Sequence, residues 1–174
     1  MQEPTDTVLH LQELWELNLT TRRWTKSQMK GEIPEQLVSF LDLKLSLLYQ
    51  SKPFQASHTA VAHPCHPGVM LVYGGTGAPF GLTTSNTVVA CQLETQQFSK
   101  LAVADGPGQP MPLYGQAVIT DQEQGLFYTV GGTSGFNYFM DVNVLDLRSS
   151  PPAWQSLYRL SGLDDEPEAR STLK

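Results

Sequence analysis

The chain has 174 residues, the length of one ordinary domain, and carries 17 acidic against 11 basic residues for a net charge of −6. That balance argues against a nucleic-acid surface, which needs a basic stripe. Two cysteines, Cys65 and Cys91, give no disulfide framework; reduced thiols in a cytosolic or nuclear protein are the plain reading. Met1-Gln-Glu-Pro-Thr-Asp6 lacks the basic and apolar regions of a secretory signal. No apolar run reaches the ~20 residues of a membrane helix, so no membrane partner is expected.

After an N-terminal extension (1–12), Glu13-Leu-Trp-Glu-Leu-Asn-Leu19 followed by Trp24 reads as two strands of a partial unit over 13–36. Residues 37–54 come next. Leu41, Leu43, Leu45 and Leu47 alternate like a strand, while Leu37, Leu41, Leu45 and Leu48 fit a helical stripe. The segment has no counterpart elsewhere in the chain. It reads either as an inserted or mis-spliced piece or as a docking element; a solubility loss on deleting it would favour the second.

A complete unit is expected over 55–104 and another over 105–160, with 161–174 opening one more. The first unit predicts strand a at His58–Ala62, b at Val69–Tyr73, c at Thr87–Leu93 and d around Phe98. The second predicts a at Gly115–Ile119, b at Leu126–Val130, c at Asp141–Leu147 and d around Trp154. Short length, Val, Leu, Tyr and Phe enrichment and flanking turn residues favour strands over helices. Gly74-Gly75 and Gly131-Gly132 close the two b runs 57 residues apart, and His58-Thr-Ala-Val61 aligns with Gly115-Gln-Ala-Val118 at the same offset. Repetition near 50 residues indicates propeller blades. The fold class is therefore all-β, a partial propeller of about two and a half four-stranded blades. The strand d aromatics are expected to seal the seams between blades, each burying ~150–250 Å².

Two and a half blades cannot close a ring of 4–8. The expectation is a fragment or short form, or missing blades from elsewhere. Exposed strand edges predict an isolated chain of low stability, and a sharp high-temperature melt of a monomer would contradict that.

Catalytic and cofactor signals are weak. Gly74-Gly-Thr-Gly77 resembles a dinucleotide loop, but the third glycine of G-x-G-x-x-G falls on Phe80, and a strand follows where a helix is needed. His63-Pro-Cys-His66 offers two imidazoles and a thiol, yet it lacks zinc-site spacing and reads as a solvated a–b turn. His58 is expected to be a hydrogen-bonded structural residue, and His10 has no identified partner. No Gly-x-Ser-x-Gly elbow occurs. Cys91 in strand c is expected to be buried and inert. Asp164-Asp-Glu166 with Glu168 reads as solvated rather than as a glycosidase pair. No enzyme activity, cofactor or metal is expected.

Gly-Gly, then Asp141-Val-Asn-Val-Leu-Asp-Leu147, then Trp154 resembles the kelch signature. Gly74-Gly-Thr-Gly-Ala-Pro-Phe-Gly81, Tyr114-Gly-Gln-Ala117 and Gly131-Gly-Thr-Ser-Gly-Phe136 resemble, more narrowly, the group typified by kelch domain-containing protein 10 and its invertebrate relatives. The resemblance covers about residues 13–34 and 55–174.

The b–c loops (76–86, 133–140) and d–a loops (103–113, 161–169) fall on one face. They are rich in Gly and Pro, as positioned binding loops often are. Phe80, Phe136 and Tyr138 in the b–c loops, with Tyr114 and Arg170 at strand a starts, form the candidate peptide-binding set. Rings supply apolar contact and Arg a bidentate fork for a carboxylate. The bland alternative is that the rings only pack on neighbouring blades and Arg170 is a surface charge.

The resemblance implies a substrate receptor of a cullin-RING ubiquitin ligase that captures C-terminal peptides ending in glycine. Elongin B/C and a cullin would be recruited by a separate segment absent from these residues. The alternative is a kelch scaffold or regulatory protein for a signalling or cytoskeletal partner. Where the group shows Arg-x-Tyr-Gly-Gln, this chain has Pro112-Leu-Tyr-Gly-Gln116, leaving Arg170 as the matching arginine.

Overall fold

The computed structural model describes residues 13–33, 57–76 and 84–159, and every regular element among them is a strand. β1 (Leu14–Asn18) and β2 (Arg23–Ser27) form an antiparallel hairpin with Leu17 opposite Trp24. Its turn is built locally. Asn18 Oδ1 accepts the backbone N–H groups of Thr20 and Thr21 at 3.0 and 2.8 Å, the self-bonding that favours Asn at turns.

β3 (Lys30–Gly31) is followed by an antiparallel meander of β4 (Thr59–Ala62), β5 (Val69–Tyr73), β6 (Val88–Gln92) and β7 (Gln97–Lys100). A second meander holds β8 (Ala117–Asp121), β9 (Leu126–Thr133), β10 (Tyr138–Asp146) and β11 (Ala153–Tyr158). These are two four-stranded blades, preceded by a two-stranded partial one. β9 and β10 run further than the apolar pattern predicts. Past a bulge between Phe139 and Val142, the ladder carries on through Gly132 to Thr133 opposite Tyr138.

The ladders correct one alignment. Val61 pairs with Leu71, whereas Ile119, not Val118, pairs with Tyr128. Leu71 and Tyr128 are repeat mates, so Val61 corresponds to Ile119 and His58 to Gln116. The cause is the a–b turn: residues 63–69 separate the partners Ala62 and Met70, but only 121–126 separate Thr120 and Phe127. A one-residue slip moves every side chain of a strand to the opposite face. Val61 therefore faces the second blade and Val118 the first, and both line one seam.

Alternation gives each blade two faces. Leu71, Tyr73 and Val88 of the first blade meet Phe127, Leu145 and Trp154 of the second. Tyr73 lies 5.7 Å from Phe127 and 5.6 Å from Trp154 between ring centroids, in edge-on and tilted contacts. Burial in this seam pushes the Tyr73 phenol above its ordinary pKa. The opposite face of the first blade (Val72, Val89, Cys91, Phe98) packs on Leu14, Met29 and Ile33 of the N-terminal segment. Phe98 and Trp154 thus seal seams as predicted, but Trp24 is exposed: among the described residues nothing stands on its side of the hairpin.

Each d–a connection also crosses onto the next blade. Lys30–Gly31 pairs in parallel with Gln97–Phe98, and Ala104 bridges Ala153 in parallel. The supporting bonds, Lys30 N–H to Gln96 O and Ala104 N–H to Pro152 O, are 2.9 and 2.7 Å. Lys30 and Ala104 both stand six residues past their strand d aromatic, so the repeat governs contacts between blades as well as within them.

Candidate functional site

The candidate face lies at the b–c and d–a end of the blades. Gly74 and Gly132 hold the b-strand exits at φ 68° and 118°, open to glycine at little cost. From there the chain is tied across the blade boundary. Gly75 N–H donates to Leu113 O at 3.2 Å, and Ser85 bridges Leu113. Tyr114 and Thr133 exchange two backbone bonds of 3.0 and 2.9 Å. Asn86 Nδ2 donates to Pro110 O at 2.9 Å, fastening the d–a loop to the b–c loop of the previous blade.

Thr133 pairs with Tyr114 on one side and Tyr138 on the other, so these three share one cross-strand row. The tip between Thr133 and Tyr138 closes on itself. Thr133 Oγ1 donates to Asn137 O at 2.8 Å and accepts Gly135 N–H at 3.1 Å. This compact tip presents Phe136, 79% exposed, and Tyr138, 84% exposed. Tyr114 is half-buried beside them. The structure brings together Tyr114, Phe136 and Tyr138 of the predicted set; Phe80 and Arg170 lie outside the described residues, as do His10, residues 37–54 and Asp164–Glu168.

The sequence did not single out Gln116 or Arg159. Gln116 is 6% exposed, and its side chain is wedged between the two glycine corners. A Cβ on Gly74 would sit 2.7 Å from Gln116 Oε1, and one on Gly132 2.8 Å from its Cγ. Both amide atoms are buried without a hydrogen-bond partner among the described residues, as is Nδ1 of the equivalent His58. His58 was expected to be a hydrogen-bonded structural residue; burial lowers its pKa, and its Nδ1 has no partner among the described residues. Gln116 was visible inside Tyr114-Gly-Gln-Ala117, but its contacts are nonlocal. Arg159 follows β11 at this same end and sits 3.6 Å from the buried carboxylate of Asp141; no sequence signal marks it.

At the opposite end, His63 organises the a–b turn. Its Nδ1 accepts the backbone N–H groups of Cys65 and His66 at 3.0 and 3.2 Å. Burial, with the neighbouring His66 adding to it, lowers the His63 pKa and keeps that nitrogen an acceptor. Cys91 is fully buried in the seam of the first blade, which raises its thiol pKa.

No protein-family model matches the chain. Curated relatives do. It is 32% identical over 158 residues to Kelch domain-containing protein 10 of Xenopus tropicalis, covering 91% of this chain and 32% of the relative. It is 30% identical over 158 residues to the Homo sapiens protein of that name, covering 91% and 30%. Against the Drosophila melanogaster homolog it is 30% identical over 167 residues, covering 93% and 24%. The chain thus spans a third or less of the length of these relatives. Read with the blade register, these likenesses make the chain a partial kelch β-propeller that resembles Kelch domain-containing protein 10.

Proposed function

We propose that this kelch interaction module contributes to a substrate receptor of a cullin-RING ubiquitin ligase, holding C-terminal peptides of target proteins on its b–c and d–a loop face. One observation carries the reading: Phe136 and Tyr138 stand almost fully exposed on a tip that is internally hydrogen-bonded. Exposed aromatics on a rigid loop lose little entropy on binding and are typical binding anchors. Arg170 would pair with the peptide carboxylate, and Phe80 would widen the aromatic rim. Elongin B/C and the cullin would engage a segment outside these 174 residues, in the cytoplasm or nucleus. The module presents its peptide to chemistry performed by other subunits.

A second reading is a kelch scaffold for a signalling or cytoskeletal partner. It is favoured by the exposed Pro112, which stands where the resemblance places an arginine. Fluorescence anisotropy with labelled ten-residue peptides ending in glycine separates the two. A free carboxyl terminus should bind at least tenfold tighter than its amide, a difference of ~1.4 kcal/mol. Replacing Phe136 and Tyr138 together by serine should abolish that binding. Equal affinity for acid and amide would refute C-terminal capture and leave the scaffold.

A further inference from the structure

We propose that Arg159 forms a second subsite on the loop face, which takes an acidic side chain of the captured peptide about four or five residues before its C-terminus. The subsite extends the peptide-capture reading and rests on it. Asp141 Oδ2 lies 3.6 Å from Arg159 Nε, and the Asp141 side chain is only 8% exposed. A carboxylate so buried needs a charged or hydrogen-bonded partner, and that need holds the guanidinium in place. Arg159 makes no hydrogen bond among the described residues, and its side chain is 51% exposed. Its two Nη groups are therefore left to a ligand. A planar fork of this kind holds a carboxylate through two parallel bonds.

The position is open in a stacked blade as well. Val88 pairs with Tyr73, and Val142 pairs with the repeat mate of Tyr73, Val130. Leu101 N–H donates to Val88 O at 3.0 Å, and Tyr158 stands opposite Val142. Leu101 and Tyr158 are thus counterparts, and so are Ala102 and Arg159. Ala102 is exposed even though the second blade packs on the first. A following blade therefore leaves this place on the rim uncovered.

Charge and spacing name the occupant. Residues 103–113 and 133–140 of this face carry one charged side chain between them, Asp105. Its neighbour Ala104 bridges Ala153, six residues along the strand from Arg159 and roughly 20 Å away. Arg159 thus sets the local sign, which favours an acidic peptide residue and disfavours a basic one. Tyr114, Thr133 and Tyr138 step across strands a, b and c, and β11 is one strand further out. Three strand spacings come to roughly 14 Å. An extended peptide with its terminus at the strand a starts covers that in about four or five residues.

The test uses the intact chain and labelled ten-residue peptides ending in glycine, with either two glutamates or two glutamines at the fourth and fifth positions from the end. Fluorescence anisotropy should show the wild type binding the glutamate peptide about three- to fivefold tighter. The gap should narrow as salt rises from 0.05 to 0.5 M. Arg159→Gln should bind both peptides alike. Arg159→Lys keeps the charge beside Asp141 without the fork, so it should retain part of the gap. Equal binding of the two peptides by the wild type, or a gap that survives Arg159→Gln, would overturn the subsite whether or not the terminus is read. Peptides whose free acid gains nothing over the amide, but whose glutamates still do, would overturn terminal capture alone. Binding of no peptide would overturn both.

Discussion

Gly132→Ala should be among the most damaging small changes in this protein, for two separable reasons. At φ 118° an L side chain is strained, which costs ~1–3 kcal/mol. Its Cβ would also stand 2.8 Å from Gln116 Cγ and 3.2 Å from both Leu113 Cβ and Tyr114 O. Crowding of that kind costs about 1–3 kcal/mol. The lost freedom of glycine in the unfolded chain returns ~0.4–1 kcal/mol. The net loss is on the order of 1–5 kcal/mol, up to a large part of a small domain's stability. Two other glycines isolate the contributions. Gly68 has φ 78° but nothing within 4 Å, so Gly68→Ala carries strain alone, about 1–2 kcal/mol. Gly106 has neither positive φ nor neighbours, so Gly106→Ala should stabilise by ~0.4–1 kcal/mol. Urea titration followed by tryptophan emission reads all three, since Trp154 is the buried tryptophan of the three and reports loss of the seam. The order of midpoints should be Gly106→Ala, wild type, Gly68→Ala, Gly132→Ala. If Gly132→Ala costs no more than Gly68→Ala, close approach of Gln116 is not what requires the second glycine.

Trp154→Ala removes a ring shared by Tyr73 and Phe127 and should lower stability by ~3–5 kcal/mol, whereas exposed Trp24→Ala should change it by less than about 1 kcal/mol; equal losses would mean that the seam is not the core. Gln116→Met keeps the length of the side chain and deletes two buried polar atoms, so the urea midpoint should hold or rise; a clear fall would show that the amide is bonded in solution. Burial lowers the pKa of both His58 and His63 in the fold. The unfolded chain therefore binds more protons just below pH 6.5, and stability present above that value should decline as pH falls toward the folded pKa values. His63→Asn, which keeps a side-chain acceptor for the turn, should reduce the slope of melting temperature against pH between 7.5 and 5.5; an unchanged slope would acquit His63.

Much of this architecture is local and was legible in the residues. Val69–Tyr73 is one apolar run, and strands of that kind need no distant information to be recognised. The c–d hairpins are equally plain, because Leu17–Trp24, Cys91–Phe98 and Leu145–Trp154 keep nearly constant spacing. Repetition then fixes the partial propeller, since a wedge with two apolar faces must stack on its like. The exposed tip of Phe136 and Tyr138 also followed from chain order, because a b–c loop must lie where its strands end. That they stand free rather than packed on a neighbour did not follow.

Three features rest on contacts between segments far apart in sequence, and the chain pattern was silent on them. The face presented by strand a depends on one residue in the a–b turn, and similar residues at a constant offset, Val61 and Val118, hid that slip. The wedging of Gln116 between Gly74 and Gly132 joins the start of one blade to the b-strand exits of two, which no spacing rule encodes. The laying of Lys30 and Ala104 across the outer strand of the following blade uses backbone groups alone, so it leaves no side-chain signature. Sequence by itself settled which segments become strands and that they repeat, because those choices follow from short-range preference. Tertiary structure alone decided which side of each strand meets which neighbour, because parity along a strand is set by turn length and is checked only when two blades close on each other.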